Sequence, residues 1–505
     1  MGTTDAKLVK KYTIKVIANF VSMSLGIVTQ ILVPRALGPV LFGQMSYLNS
    51  LFQQIFMVFD LGFINYFYTK FSSDSEDNYI STFYLVYFFA ISALLFILTL
   101  IFLASDLWVI FSLESNQFFL YSFFWGFFFT LSLIFDKCAD ALGVTIKAER
   151  IRIFNKVFFA GLLVLLITSS NFSLTIYFYY MFSLYFSLLI QFYFLFVSVN
   201  ENIFSNVFKV ISKFPNTFLD FFKYSKHLIA ILLLGSFSIV FDRWLLQLVG
   251  GDEQQGFYAF AFVIASICML FTSAFIPLIW REITLNVSQD NKKYLSDTID
   301  SSFKFLFVLS SVICSFLFVF SDLVTLVAGG EQYEEAVAVV LIMSLYPIHQ
   351  TYGQLSSAMF LALSQTELYS KIAVSYILAG LFVSPILLFN FEYFGIESAA
   401  VALALKMVIW QYFGVNTQLY FNCSHAGSSF FRLALHQHLI IFIMLFLCLG
   451  IRNFYDDFLL IDNHMIVLAL SFFSYSTIIL ILSYFFKSSF GIKNNILDKL
   501  TVLKP

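Results

Sequence analysis

The chain has 505 residues, of which 60% are hydrophobic, 20% aromatic and 11% charged, with a formal net charge of −2. A soluble globular protein carries about 25% charged residues, so this composition excludes a water-soluble fold and leaves lipid as the solvent. The small net charge says little about partners by itself, and no nucleic acid is expected among them.

Apolar runs of about 20 residues, long enough to cross a hydrocarbon core, recur from end to end. Fourteen are predicted, near 12–34, 44–69, 79–105, 117–140, 151–170, 172–198, 224–249, 256–280, 302–328, 334–363, 367–390, 396–421, 432–451 and 464–486. The first is too long for a signal-peptide core and lacks a small-residue cleavage site, so it reads as a retained span. The start, M-G-T-T-D-A, also lacks the Ser or Thr of a myristoylation signal. All but four of the 28 basic residues fall on one side of this alternation, beginning with Lys7, Lys10, Lys11 and Lys15 and ending with the tail lysines. The positive-inside rule makes that side cytoplasmic, with both termini inside.

Within span one, Asn19, Ser22, Gly26 and Gln30 recur at three- and four-residue steps and lead to Arg35. Span two repeats the pattern with Ser46, Asn49, Gln53 and Asp60. The longest connection, with Pro215 and several aromatic and lysine clusters, reads as an amphipathic segment at the membrane surface. In span seven Gly235, Ser238 and Asp242 share a face, while Arg243 shares one with Gln247. Neighbours on a helix do not face each other, so Asp242 and Arg243 each need a partner from another helix, or water. Span ten carries Pro347 followed by His349 and Gln350, and a proline inside a helix frees backbone groups and bends it. Lys406 falls near the middle of span twelve, and Arg452 ends span thirteen.

K-Y-T-I-K-V-I-A at Lys11 is matched by K-Y-S-K-H-L-I-A at Lys223, and Gly38-x4-Gly43 by Gly251-x4-Gly256. A shift of roughly 212 residues therefore lays spans one to six on spans seven to twelve, a parallel repeat of the kind transporters carry. Phe/Leu-rich sequence can match itself by chance, but the paired starts and paired glycine turns weigh against that. The expected division is a six-helix bundle over 1–198, a cytoplasmic amphipathic linker over 199–223, a second six-helix bundle over 224–422, and an additional two-helix segment with a cytoplasmic tail over 423–505.

Ionisable groups at lipid depth cost about 2.5–3.5 kcal/mol each on insertion scales, so they point to a lumen. Arg35, Arg243 and Lys406, with Gln30, Gln53 and Gln247, are the residues expected to line a polar cavity. Asp60, Asp242 and His349 are candidates for an ion-coupling role. Against this stand ordinary readings: amide and hydroxyl stripes that join helices, an Asp60 neutralised by Lys70 or a proton, and a His349 that only packs. Five scattered cysteines, with no CxxC and no histidine at ligand spacing, suggest neither a disulfide framework nor a metal site.

The stretches L-V-P-R-A-L-G-P-V-L-F-G-Q-M-S-Y (Leu32–Tyr47), F-D-L-G-F around Asp60 and Y-F-G-I-E-S-A-A-V-A-L-A-L (Tyr393–Leu405) resemble the polysaccharide-repeat flippases, the O-antigen translocases of the multidrug/oligosaccharidyl-lipid/polysaccharide exporter superfamily. The resemblance covers essentially the whole chain through short, degenerate motifs. It implies an all-α polytopic membrane protein: two like-oriented six-helix bundles plus two C-terminal helices, in a V-shaped, MATE-like transporter. It further implies movement of an undecaprenyl-diphosphate-linked oligosaccharide from the cytoplasmic to the periplasmic leaflet of a bacterial inner membrane by alternating access. No cofactor is expected beyond a proton or sodium as coupling ion; membrane lipid and other polysaccharide-assembly proteins are the expected partners. The basic residues are the available counter-charges for a diphosphate. The extra spans thirteen and fourteen depart from O-antigen flippases with twelve spans and leave teichoic-acid, capsule or peptidoglycan-precursor flippases open. The rivals are a cation-coupled multidrug exporter of the same superfamily and an integral-membrane polysaccharide polymerase or ligase. Basic residues argue against the first; short outer loops nearly free of Arg and His argue against the second. No nucleotide-binding loop or zinc-protease motif is present in the sequence.

Overall fold

The computed structural model describes residues 3–73, 79–105, 116–169, 172–198, 207–273, 275–288, 292–458 and 463–491, and their regular elements are all helices. Twelve of these are long and apolar enough to cross a membrane. Two of the twelve, Leu25–Asp60 and Ile229–Met269, are each divided by a glycine and carry two of the predicted spans. The side chains of Asn19 and Ser22, the linker residues 199–206 and the tail from 492 lie outside the described residues.

Helix α1 (Thr3–Asp60) breaks at Gly38, where φ is 76°, and α7 (Val207–Ser273) breaks at Gly251, where φ is 70°. This backbone region disfavours a Cβ, so glycine is the residue that turns the chain there. Pro39 follows the first break, where its missing N–H costs nothing at the start of the next arm. After the breaks, α1 gives way to α2 (Phe63–Ser73) and α7 to α8 (Ile276–Ser288), followed by α3 (Tyr79–Ala104) and α9 (Lys292–Val319). One constant offset relates Gly38 to Gly251, Asp60 to Ser273, Phe63 to Ile276 and Tyr79 to Lys292. The repeat inferred from two short motifs is thus carried by helix boundaries as well.

The chain forms two compact units, Met1–Gly256 and Phe257–Pro505. In the first, α1 packs along α4 (Asn116–Ala141) and α5 (Thr145–Thr168), and α4 packs along α6 (Leu174–Ser198). Lipid gives helices little hydrophobic reason to associate, so close packing and hydrogen bonds hold them. Gly126 of α4 allows a close approach to α1: a Cβ there would stand 3.0 Å from the Phe56 ring.

The unit boundary differs from the one read off the repeat, because the first arm of α7 belongs with the first unit. Phe214, Thr217, Phe218 and Phe221 recur on one helical face. Phe214 meets Phe83 of α3 at 4.9 Å, Phe221 meets Phe63 of α2 at 4.6 Å, and the Thr217 hydroxyl bonds the Tyr79 hydroxyl. The stretch expected to lie on the membrane surface therefore turns its aromatic face onto protein, while Leu219 and Phe222 on the other side stay exposed.

In the second unit α9 is the centre, flanked by α12 (Tyr346–Ala362) and α15 (Phe430–Phe458). The helix α14 (Ala399–Ala426) packs on α11 (Val337–Met343), α12 and α13 (Thr366–Phe389). The predicted ninth and tenth spans are each composite. Phe320 separates α9 from α10 (Ser321–Gly329), and Ser344–Leu345 separates α11 from α12. Pro347 consequently sits in the first turn of α12, where no N–H is needed, instead of bending a continuous helix. The C-terminal pair α15 and α16 (His464–Phe485) docks on this unit: Arg452 grips Asp322 through two bonds of 3.0 and 2.6 Å and also donates to the Val319 carbonyl. Tyr475 of α16 bonds Ser315 of α9 at 2.7 Å.

Candidate functional site

The charged pair of span seven lies just before the Gly251 break. Arg243 donates to Gln255 Oε1 at 2.9 Å, and the Gln255 amide donates back to the Arg243 carbonyl. Gln247 donates to Asp252 Oδ1 at 2.7 Å. In an unbroken helix Arg243 and Gln255 would stand about 18 Å apart, so these bonds show that the chain folds back on itself at Gly251. The partner that Arg243 requires comes from the second arm of its own helix. Asp242 is buried, Arg243 half-buried and Gln247 buried.

The two glycine breaks meet each other. A Cβ on Gly43 would overlap the Asp252 carbonyl and the Gly256 nitrogen, and a Cβ on Gly256 would overlap the Pro39 carbonyl. The first glycine of each G-x4-G therefore turns the chain, and the second lets one backbone lie on the other. Arg35, one turn before Gly38, is exposed, as are Gln30 and Gln53.

Asp60 stands at a third break. Leu61 and Gly62 have φ of 50° and 80°, and the Asp60 carboxylate receives the Ile64 N–H at 3.2 Å, which caps the start of α2. Tyr84 of α3 donates to the other carboxylate oxygen, and Tyr87 donates to the Phe59 carbonyl at 2.6 Å. Phe63 stacks on Tyr84 at 4.6 Å and on Tyr87 at 5.4 Å. The F-D-L-G-F motif thus reads as an aspartate cap, a left-handed turn and an aromatic anchor.

A further ionic group on α4 and α5 was not singled out in the sequence. Arg152 pairs with Asp136 at 2.9 Å and with buried Glu149 at 3.2 Å. One turn on, buried Asn155 accepts from Ser187 at 3.1 Å and from Gln191 at 3.2 Å, joining α5 to α6. The three-residue spacing of Glu149 and Arg152 was a readable signal for their own pairing; nothing in the sequence pointed to Asp136 or to α6.

In the second unit Lys406 is buried on α14. Its Cε lies 3.8 Å from where a Gly380 Cβ would stand, beside Trp410 one turn on, whose indole N–H donates to the Tyr376 carbonyl at 2.8 Å. The lysine stem therefore runs along the α13–α14 seam. His349 is half-buried on α12, edge-to-face with Tyr412 of α14 at 5.1 Å. Gln411 donates to Gln350 at 2.7 Å and fixes α12 against α14. Among the described residues no group of three or more His, Cys, Asp or Glu is placed to hold a metal ion.

Repeated helical units, glycine-turned breaks and charges buried within apolar helices define a polytopic helical membrane protein built on an internal repeat. The model of the polysaccharide biosynthesis protein family matches residues 8–281, more than half of the chain, and the chain belongs to that family. A curated relative, the probable low-salt glycan biosynthesis flippase Agl15 of Haloferax volcanii, is 28% identical over 211 residues, which is 41% of this chain and 42% of that protein. The match thus spans about two fifths of that relative's length. In fold, the chain is similar to the lipid II flippase MurJ in an inward closed conformation, with a TM-score of 0.62 and 14% identity over 92% of this chain and 98% of that one. It is also similar to an inward-facing MATE family multidrug resistance transporter of the MOP superfamily, with a TM-score of 0.59 and 10% identity over 82% of this chain and 98% of that one. The expected fold class, all-α with repeated bundles and a transporter architecture shared with MATE proteins, is the one found.

Proposed function

We propose that the chain is a flippase for a lipid-linked oligosaccharide, moving undecaprenyl-diphosphate-linked repeat units from the cytoplasmic to the outer leaflet of a bacterial inner membrane by alternating access. The observation that carries this reading is the family match over residues 8–281, on a fold similar to that of a lipid II flippase. The physical problem agrees with it. A sugar-diphosphate head cannot cross hydrocarbon unaided, and its charge calls for cations such as Arg35, Arg243 and Lys406. Gln30, Gln53 and Gln247 are the neutral groups proposed to meet the sugar, and Asp60, Asp242 or His349 to carry a coupling proton or sodium. The basic bias of the loops supports a placement of both termini inside.

Arg243 and Lys406 are embedded in packing, so truncating them tests structure and function together. The informative experiment is complementation of a strain lacking its O-antigen flippase, with Arg35→Ala, Arg243→Lys and Lys406→Arg alongside wild type and with membrane abundance measured. Restored surface polymer in wild type, lost in Arg35→Ala at equal abundance, supports the reading. A wild type that confers drug resistance and restores no polymer in strains of several sugar types refutes it in favour of a multidrug exporter.

A further inference from the structure

Two of the chain's six histidines converge on one tyrosine. On one side His349 of α12 meets the Tyr412 ring at 5.1 Å with an interplanar angle of 79°. On the other, the Tyr412 hydroxyl lies 3.0 Å from His438 Nε2 on α15. His438 Nδ1 is 2.7 Å from the Ala434 carbonyl, and a carbonyl oxygen only accepts, so Nδ1 carries the hydrogen. In neutral His438, Nε2 is therefore the acceptor and Tyr412 the donor. The Gln411–Gln350 bond, between the residue before Tyr412 and the residue after His349, holds the two helices in the register that keeps the three rings together.

From this geometry we infer that His349, Tyr412 and His438 form a single-proton site within the second unit, with His438 as its entry. The proton is received at His438, whose Nε2 is the hydrogen-bonded acceptor of the group. It bonds to the Nε2 lone pair, and the hydrogen bond reverses: Nε2–H now donates to the Tyr412 oxygen, while the tyrosine hydrogen stays on that oxygen and rotates away from the imidazole ring. No electron is transferred and no other bond breaks. One tyrosine ring is all that stands between the imidazoles, so a charge on one disfavours a charge on the other. Of the other titratable side chains, Tyr346 and Tyr352 flank His349 on α12, α9 brings Asp300, paired with Arg432 at 3.9 Å, and Lys304 to these helices, and Lys406 stands six residues before Tyr412. His436 faces elsewhere, with its Nε2 at 2.7 Å from the Ser489 carbonyl. Proton binding here stands whatever the cargo is; its use as the coupling step rests on the flippase reading.

The test is histidine-selective NMR of the purified full chain, with ring carbons labelled and each signal assigned by loss in His349→Gln and His438→Gln. Between about pH 8 and about pH 5, the window in which histidine changes charge, one of the two wild-type signals is expected to titrate. In His438→Gln the His349 signal should titrate in its place, and in Tyr412→Phe the His438 signal should move its midpoint. Two signals that titrate independently in wild type, or a His438 signal indifferent to Tyr412→Phe, overturn the inference. Because no cargo is present, a failure here is separate from a failure of complementation.

Discussion

Gly43→Ala is the sharpest perturbation this architecture offers. The added methyl would overlap the Asp252 carbonyl and the Gly256 nitrogen. Both are backbone atoms, held by the Gln247–Asp252 and Arg243–Gln255 bonds, so no flexible side chain can swing away. Overpacking typically costs 1–3 kcal/mol, and a rigid obstacle puts this site near about 3 kcal/mol. For a cooperative unit of a few hundred residues that corresponds to a fall of roughly 6–12 °C in the melting midpoint. The assay is thermal unfolding of purified protein followed by size-exclusion chromatography. Gly26→Ala and Gly235→Ala are the controls, since a Cβ at either meets nothing within 4 Å. Gly256→Ala should match Gly43→Ala, and the double variant should cost less than the two together, because one parted contact relieves both. If Gly43→Ala melts with the controls, the two breaks do not touch as described and the reasoning fails.

Three further outcomes follow from particular contacts. Asp60→Ala should lower stability by about 1 kcal/mol through loss of the α2 cap, while Asp60→Asn should keep the cap; transport by a well-folded Asp60→Asn at the wild-type rate would remove Asp60 from the coupling candidates. Arg452→Lys should destabilise the docking of α15 nearly as much as Arg452→Met, by about 1 kcal/mol for this partly exposed pair, because an ammonium cannot reproduce the two-pronged grip on Asp322; equal melting of Arg452→Lys and wild type would contradict that. Gly380→Leu should displace Trp410, whose Nε1 stands 3.0 Å from the place a Cβ would take, and should change tryptophan fluorescence, whereas Gly161→Leu, facing open space, should not.

Much of this fold was legible because its rules are local. Span length needed only counting, and the paired G-x4-G motifs marked the breaks because a left-handed turn requires glycine. The breaks at Leu61, Phe320 and Ser344 were hidden inside continuous apolar runs, since hydropathy does not record where a backbone changes direction. Pro347 misled for a related reason: proline marks either a kink or a helix start, and only the neighbouring break decides. For the site, sequence spacing found charges at lipid depth but not their partners. Arg243 meets Gln255 because the chain reverses, and Asp60 meets Tyr84 because α2 packs on α3; neither pairing has a period.

The docking of Phe214 and Phe221 onto Phe83 and Phe63 bears on how this molecule can be taken apart. A cut in the 199–206 connection, where two repeats would be expected to part cleanly, would strip the first six spans of the rings that cover Phe63. The orphaned piece would present an aromatic socket at its end, and its complement would present a matching plug. Fragments severed there should find each other when made together in one cell, whereas a cut after Gly256 would leave socket and plug on the same piece and ask for no such reunion.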